Sequence, residues 1–219
     1  MKKALFLISA LVLAATQAHA NEHAKKYFLK VEAGGSFPTE MTSYEHYEDN
    51  KPKNGAVFGF GAGFHINKYL SADASFNHFP YHKFDKILSV GERATQKFSS
   101  STLMFNMTGN IVIHHCITPF INAGFGFAHN NAGDYRFQGG EHPEKTKDSF
   151  AWNIGAGASF KINQWFTPYI TYKFFNLGKM QTESYTIDQN DPLLPVNGTR
   201  AIKSHIKTHT AMLGLMYNF

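Results

Sequence analysis

The fold is decided by residues 149–174, which read Ser149-Phe150-Ala151-Trp152-Asn153-Ile154-Gly155-Ala156-Gly157-Ala158-Ser159-Phe160, then Lys161-Ile162-Asn163-Gln164-Trp165, then Phe166-Thr167-Pro168-Tyr169-Ile170-Thr171-Tyr172-Lys173-Phe174. In the first leg Phe150, Trp152, Ile154, Ala156, Ala158 and Phe160 stand at alternate positions. In the second leg Phe166, Pro168, Ile170, Tyr172 and Phe174 do the same. Successive side chains of a strand point to opposite faces, so each leg is a strand with one apolar face, and the residues between them form a tight turn.

The same period of two recurs in both directions. Tyr27, Leu29 and Val31 alternate with Phe28, Lys30 and Glu32, and Leu70, Ala72, Ala74 and Phe76 alternate with Ser71, Asp73, Ser75 and Asn77. Similar runs lie near residues 56–66, 102–113, 117–128 and 204–219, which brings the predicted strands to eight, the smallest common closed barrel. After residue 20 no stretch of about 18 apolar residues occurs, so spanning helices are not expected.

Connection lengths alternate. Ile66-Asn67-Lys68-Tyr69 and Ile162-Asn163-Gln164-Trp165 are tight, and His114-His115-Cys116 is scarcely longer. The other connections, at about 38–54, 78–97, 129–148 and 178–203, are long and polar. Such an order gathers four long loops at one end of an up-and-down antiparallel barrel and the short turns at the other, as in transmembrane barrels.

Composition decides which face looks outward. The 219 residues are 43% apolar and only 17% charged, whereas a soluble barrel, lipocalin-like or otherwise, needs a charged outer surface. Here the polar face of the strands is mostly Gly, Ser, Thr and Asn, which suits a narrow interior. The apolar face is then expected to meet lipid. The formal net charge of +5 does not change this reading, because the four long loops hold 12 basic and 13 acidic residues. The excess lies in the leader, strands and turns, which excludes an external nucleic-acid or heparin patch on the loops.

Both ends agree with export to a membrane. Lys2 and Lys3 precede the apolar run Ala4–Ala15, and Ala18-His19-Ala20 places small residues where a signal peptidase reads, so cleavage is expected after Ala20. The expected mature unit is one barrel over residues 21–219. Leu213, Leu215, Tyr217 and Phe219 alternate up to a terminal aromatic.

This ending resembles the C-terminal signal read by the barrel assembly machinery. With Thr118-Pro119-Phe120-Ile121-Asn122-Ala123-Gly124-Phe125-Gly126 and Thr167-Pro168-Tyr169-Ile170-Thr171-Tyr172-Lys173-Phe174, the chain resembles the OmpA-like and opacity-protein-like family of small outer-membrane β-barrels across residues 25–219. The resemblance implies a surface antigen and adhesin in the outer membrane of a Gram-negative bacterium. It also implies contact with outer-membrane lipid and lipopolysaccharide, and a host-cell surface receptor for the loops. No nucleic acid and no cofactor are expected, and the chain is expected to be a monomer.

Candidate site residues fall in two places. Lys30, Glu32, Asp73, Lys161 and Lys173 project toward the lumen, where charges persist only when paired or hydrated. They form either an ion-pair network that closes the lumen or the lining of a narrow diffusion channel. In the loops, Tyr44, Tyr47, Tyr81, Phe84, Tyr135, Phe137, Leu193 and Leu194 are the side chains suited to partner binding. The histidines His46, His78, His82, His129, His142, His205 and His209 cluster toward the loop end. They lack the close spacing with a general base of a metal site. Cys116 beside His114 and His115 lacks the orienting group and oxyanion donors of a thiol enzyme, and no G-x-S-x-G occurs, so a non-enzymatic protein is expected.

Overall fold

The computed structural model describes residues 25–39, 53–87, 93–112, 117–133, 135–137, 140–142, 145–181 and 203–219. Ten strands account for almost all of them: β1 (Tyr27–Pro38), β2 (Gly55–His65), β3 (Leu70–Ile87), β4 (Arg93–Asn110), β5 (Ile117–Ala132), β6 (Tyr135–Phe137), β7 (Gly140–His142), β8 (Lys145–Phe160), β9 (Phe166–Gln181) and β10 (Lys203–Asn218). Eight close into an antiparallel barrel in the order β1-β10-β9-β8-β5-β4-β3-β2, and β6 and β7 form a small separate hairpin in the connection between β5 and β8.

The register fixes the shape of the barrel. Cross-strand partners lead from Phe37 through His209, Phe174, Ile154, Ala123, Met107, Ala72 and Phe64 to Tyr27. One circuit thus returns to β1 ten positions lower. A stagger of that size across eight strands requires a steep tilt and leaves an interior that side chains can fill.

Alternation sorts the chemistry. Val31, Phe60, Phe105, Ile121, Phe125, Ile154, Ile170 and Leu213 lie on the outside and are exposed, whereas Lys30, Glu32, Asp73, Asn106, Asn122, Asn153 and Lys173 are buried inside. This inversion of the usual soluble pattern is what an apolar solvent selects. At the short-turn end the wall finishes in aromatic rings. Tyr217 lies 5.4 Å from Phe166 and 6.0 Å from both Trp165 and Phe219, and Phe219 lies 6.2 Å from Tyr27. Lys68 stands 4.8 Å from the Tyr69 ring, the usual company of amphipathic groups at a lipid boundary.

The long-loop bounds read from the sequence need correction. Residues 78–87 and 93–97 belong to β3 and β4, β5 runs on to Ala132, β8 begins at Lys145, β9 reaches Gln181 and β10 begins at Lys203. Apolar alternation stops where the lipid stops. The backbone ladder continues past that height because its N–H and C=O groups still gain by pairing.

Candidate functional site in the barrel interior

Four of the five lumen charges meet inside the barrel. Lys30 Nζ lies 2.7 Å from Asp73 Oδ2, joining β1 to β3. From β9, Lys173 Nζ donates to both Glu32 oxygens at 2.8 and 2.9 Å, and the Tyr169 hydroxyl donates to Glu32 Oε2 at 3.1 Å. A buried charge is tolerated only with such compensation. Lys161 does not join their network; it lies exposed just beyond the end of β8, lining the vestibule that opens below the other four.

Amides extend the network across the barrel. Asn106 Nδ2 donates to Asp73 Oδ2 at 2.8 Å and to Ser75 Oγ at 2.9 Å. Asn153 Nδ2 donates to Asn106 Oδ1 at 2.9 Å, and Asn122 Nδ2 to Asn153 Oδ1 at 3.3 Å. Glycines make the room. A Cβ on Gly155 would fall 2.7 Å from Lys173 Cγ, and one on Gly61 would fall 3.0 Å from Lys30 Cε.

Above the charges, toward the loops, the interior turns apolar. Phe79, Phe98, Met104, Phe175, Leu177, Ile206 and Met212 are all buried in one cluster with Val57, Ala128 and Ala151. Phe79 and Phe175 meet edge to face at 5.4 Å. Asn130 spans from β5 to β9, donating to the Leu177 carbonyl at 2.9 Å and accepting from Ser100 Oγ at 2.7 Å. Below the charges, a vestibule of about 1580 Å³ opens at the short-turn end and reaches inward as far as Lys30, Glu32, Asp73 and Lys173.

Sequence reasoning missed Tyr169, the asparagine relay and the apolar layer. The signals were present: Tyr169 stands in the inward phase of Thr167, Thr171 and Lys173, and Phe175 and Leu177 are bulky apolar residues in that same inward phase.

The remaining candidates divide by position. Leu213 and Leu215 are exposed on the outer wall, and Phe219 closes the β1–β10 seam by exchanging backbone hydrogen bonds of 2.9 and 3.1 Å with Tyr27. The backbones of Tyr81 and Phe84 lie in β3, and those of Tyr135 and Phe137 in β6. Ala18, Ala20, Tyr44, His46, Tyr47, His114, His115, Cys116, Leu193 and Leu194 lie outside the described residues. Three histidines have polar partners near the loop end: His78 with Ser101 Oγ at 2.9 Å, His129 with Asp148 at 2.7 Å and His209 with the Tyr172 hydroxyl at 2.7 Å. Lys207, one of the cations that the charge count assigned to strands and turns, faces outward and is exposed.

Comparison with known proteins agrees with this architecture. A family profile for the outer membrane protein beta-barrel domain matches residues 6–219. Outer membrane protein PagN of Salmonella typhimurium is 29% identical over 106 residues, which cover 47% of this chain and 42% of PagN. The matched stretch is thus less than half of that relative. Neisserial surface protein A superposes with a TM-score of 0.57 at 12% identity, covering 88% of this chain and 97% of that structure. OprG from Pseudomonas aeruginosa gives 0.56 at 12%, covering 90% and 97%. At such identity these two structures share the fold alone.

Proposed function

The chain belongs to the outer membrane protein beta-barrel family, and on that premise we propose that it is a non-enzymatic surface protein of a Gram-negative bacterium. In this reading a closed barrel holds four long loops outward to bind a host or partner surface, as an adhesin does. Export through a cleaved leader ending at Ala20, delivery by the barrel assembly machinery through Leu213, Leu215, Tyr217 and Phe219, and a monomeric state belong to the same proposal.

The observation that carries it is the double seal. The pairs Lys30–Asp73 and Glu32–Lys173 project into the lumen from β1, β3 and β9, the Asn106–Asn153–Asn122 relay continues from Asp73 to β4, β8 and β5, and the Phe79–Phe175 layer fills the lumen above them. Rigid, sealed walls suit a scaffold, and binding chemistry on such scaffolds resides in the connections. The vestibule favours a second reading, a narrow diffusion channel, but a solute would have to part both layers.

The test is display on cells that lack adhesion. Shortening the first and fourth of the long loops within 39–54 and 182–202, outside the strands, is expected to abolish binding to host cells while the barrel stays folded. Binding that survives both deletions contradicts the adhesin reading. Solute uptake that survives them and changes in Lys173→Ala supports the channel instead.

A further inference from the structure

The mouth at the short-turn end carries charge that its own walls do not answer. Lys25, Lys26, Lys68 and Lys161 line it, and among the described residues the acidic side chains lining the same vestibule are Glu32 and Asp73 alone. Both acids are already committed deeper inside, Glu32 to Lys173 and Asp73 to Lys30. None of the four mouth lysines forms an ion pair among the described residues. The terminal carboxylate of Phe219, which also lies here, offsets one of them at most.

Lys25 sharpens the imbalance. Its ammonium is covered and stands over the Trp165 ring, with no hydrogen-bond partner among the described residues. A covered ammonium without an acceptor costs free energy that an aromatic face offsets only in part, so an incoming anion gains there.

The spread of the lysines says what kind of anion fits. Lys161 follows β8, Lys25 and Lys26 lead into β1, and Lys68 lies in the turn between β2 and β3. In the barrel order the arc from Lys161 to Lys68 crosses β9, β10, β1 and β2. At about 4.8 Å per strand that is roughly 20 Å around the rim, far more than one phosphate or carboxylate spans. An extended peptide advances about 3.3 Å per residue, so roughly six residues follow the arc and bring acidic side chains to successive lysines. Inside the mouth Phe120 and Tyr169, edge to face at 6.2 Å, offer apolar wall to a side chain between the acids.

We propose that this vestibule binds an extended acidic segment of a periplasmic protein. The proposal rests on the outer-membrane reading, in which the short turns face the periplasm, and is independent of what the loops bind. Positive charge gathered in a cleft with low-dielectric walls draws such a segment in. The paired charges close the floor, so the segment docks without passing through.

The test uses the full chain folded in detergent micelles, with a rhodamine-labelled hexapeptide of alternating glutamate and phenylalanine as the probe. Binding is expected to saturate and to weaken as salt rises. The unlabelled peptide should displace the probe, whereas the same peptide with glutamine in place of glutamate, inorganic phosphate and phosphatidylglycerol should not. Replacing two mouth cations (Lys25→Gln with Lys161→Gln) should weaken binding about fivefold or more, from two lost ion pairs. Arginine at both positions should retain it, and Lys179→Gln with Lys207→Gln at the opposite end should leave it unchanged, all with unaltered heat-dependent gel mobility. Displacement by the glutamine peptide, by phosphate or by phosphatidylglycerol, or unchanged affinity in the double mouth variant, overturns the proposal. Orientation is read separately on displaying cells, where the probe should reach the vestibule only after the outer membrane is permeabilised. Binding to intact cells that the double mouth variant abolishes would instead overturn the orientation on which the partner's location rests.

Discussion

Glu32 and Lys173, separated by 141 residues, meet inside the barrel through two hydrogen bonds of 2.8 and 2.9 Å. They lie on β1 and β9, with β10 between them, so the pair reaches into the lumen past one intervening strand. Removing one partner strands the other charge in a buried site. Glu32→Gln is expected to cost about 3–5 kcal/mol in urea unfolding from lipid vesicles. The double variant Glu32→Leu with Lys173→Met should recover most of that loss, because it removes both charges.

The apolar layer makes its own contribution. Phe79 and Phe175 are fully buried and touch edge to face. Phe175→Ala is expected to destabilise the barrel by about 3–5 kcal/mol through lost burial and a residual cavity. The same unfolding assay checks it, and Phe175→Leu should lose much less.

Lipid exposure gives an opposite rule on the outer wall. Ile154 is 56% exposed midway along the apolar stretch of β8. On a water-facing surface Ile154→Arg would be harmless. Facing hydrocarbon it should cost about 2–4 kcal/mol, read as a lowered urea midpoint in vesicles.

Backbone geometry predicts a fourth outcome. Gly178 has a positive φ, and a Cβ there would lie 2.5 Å from Ser149 Cβ and 2.7 Å from the Phe150 carbonyl oxygen. Gly178→Val should cost about 1–3 kcal/mol from strain alone. The register slips beside it, between Ile206 and Lys207, and that bulge turns Lys179 outward.

Most of this architecture is legible in the sequence because a strand reports its two faces through alternate residues. Phe150, Trp152 and Ile154 name the outer wall, and Lys30, Glu32, Asp73 and Lys173 name the inner one. What is hidden follows from where that rule lapses. Lys161 lies past a strand end at the vestibule, so its phase does not place it within reach of the other four charges. Phe79 and Phe98 fall at or beyond the edge of the apolar alternation, where the ladder persists without its hydrophobic signature. Lys179 follows a bulge that reverses the phase. Partner identities such as Lys30 with Asp73 depend on register and stagger, which no local pattern encodes.

The central claim is a sealed barrel, and planar-bilayer recording of the purified, folded chain tests it most directly. The account predicts a flat baseline with no reproducible steps, and intermittent current only when Phe79→Ala and Phe175→Ala are combined with Glu32→Ala and Lys173→Ala. Stable, uniform conductance steps from the unaltered chain would contradict it.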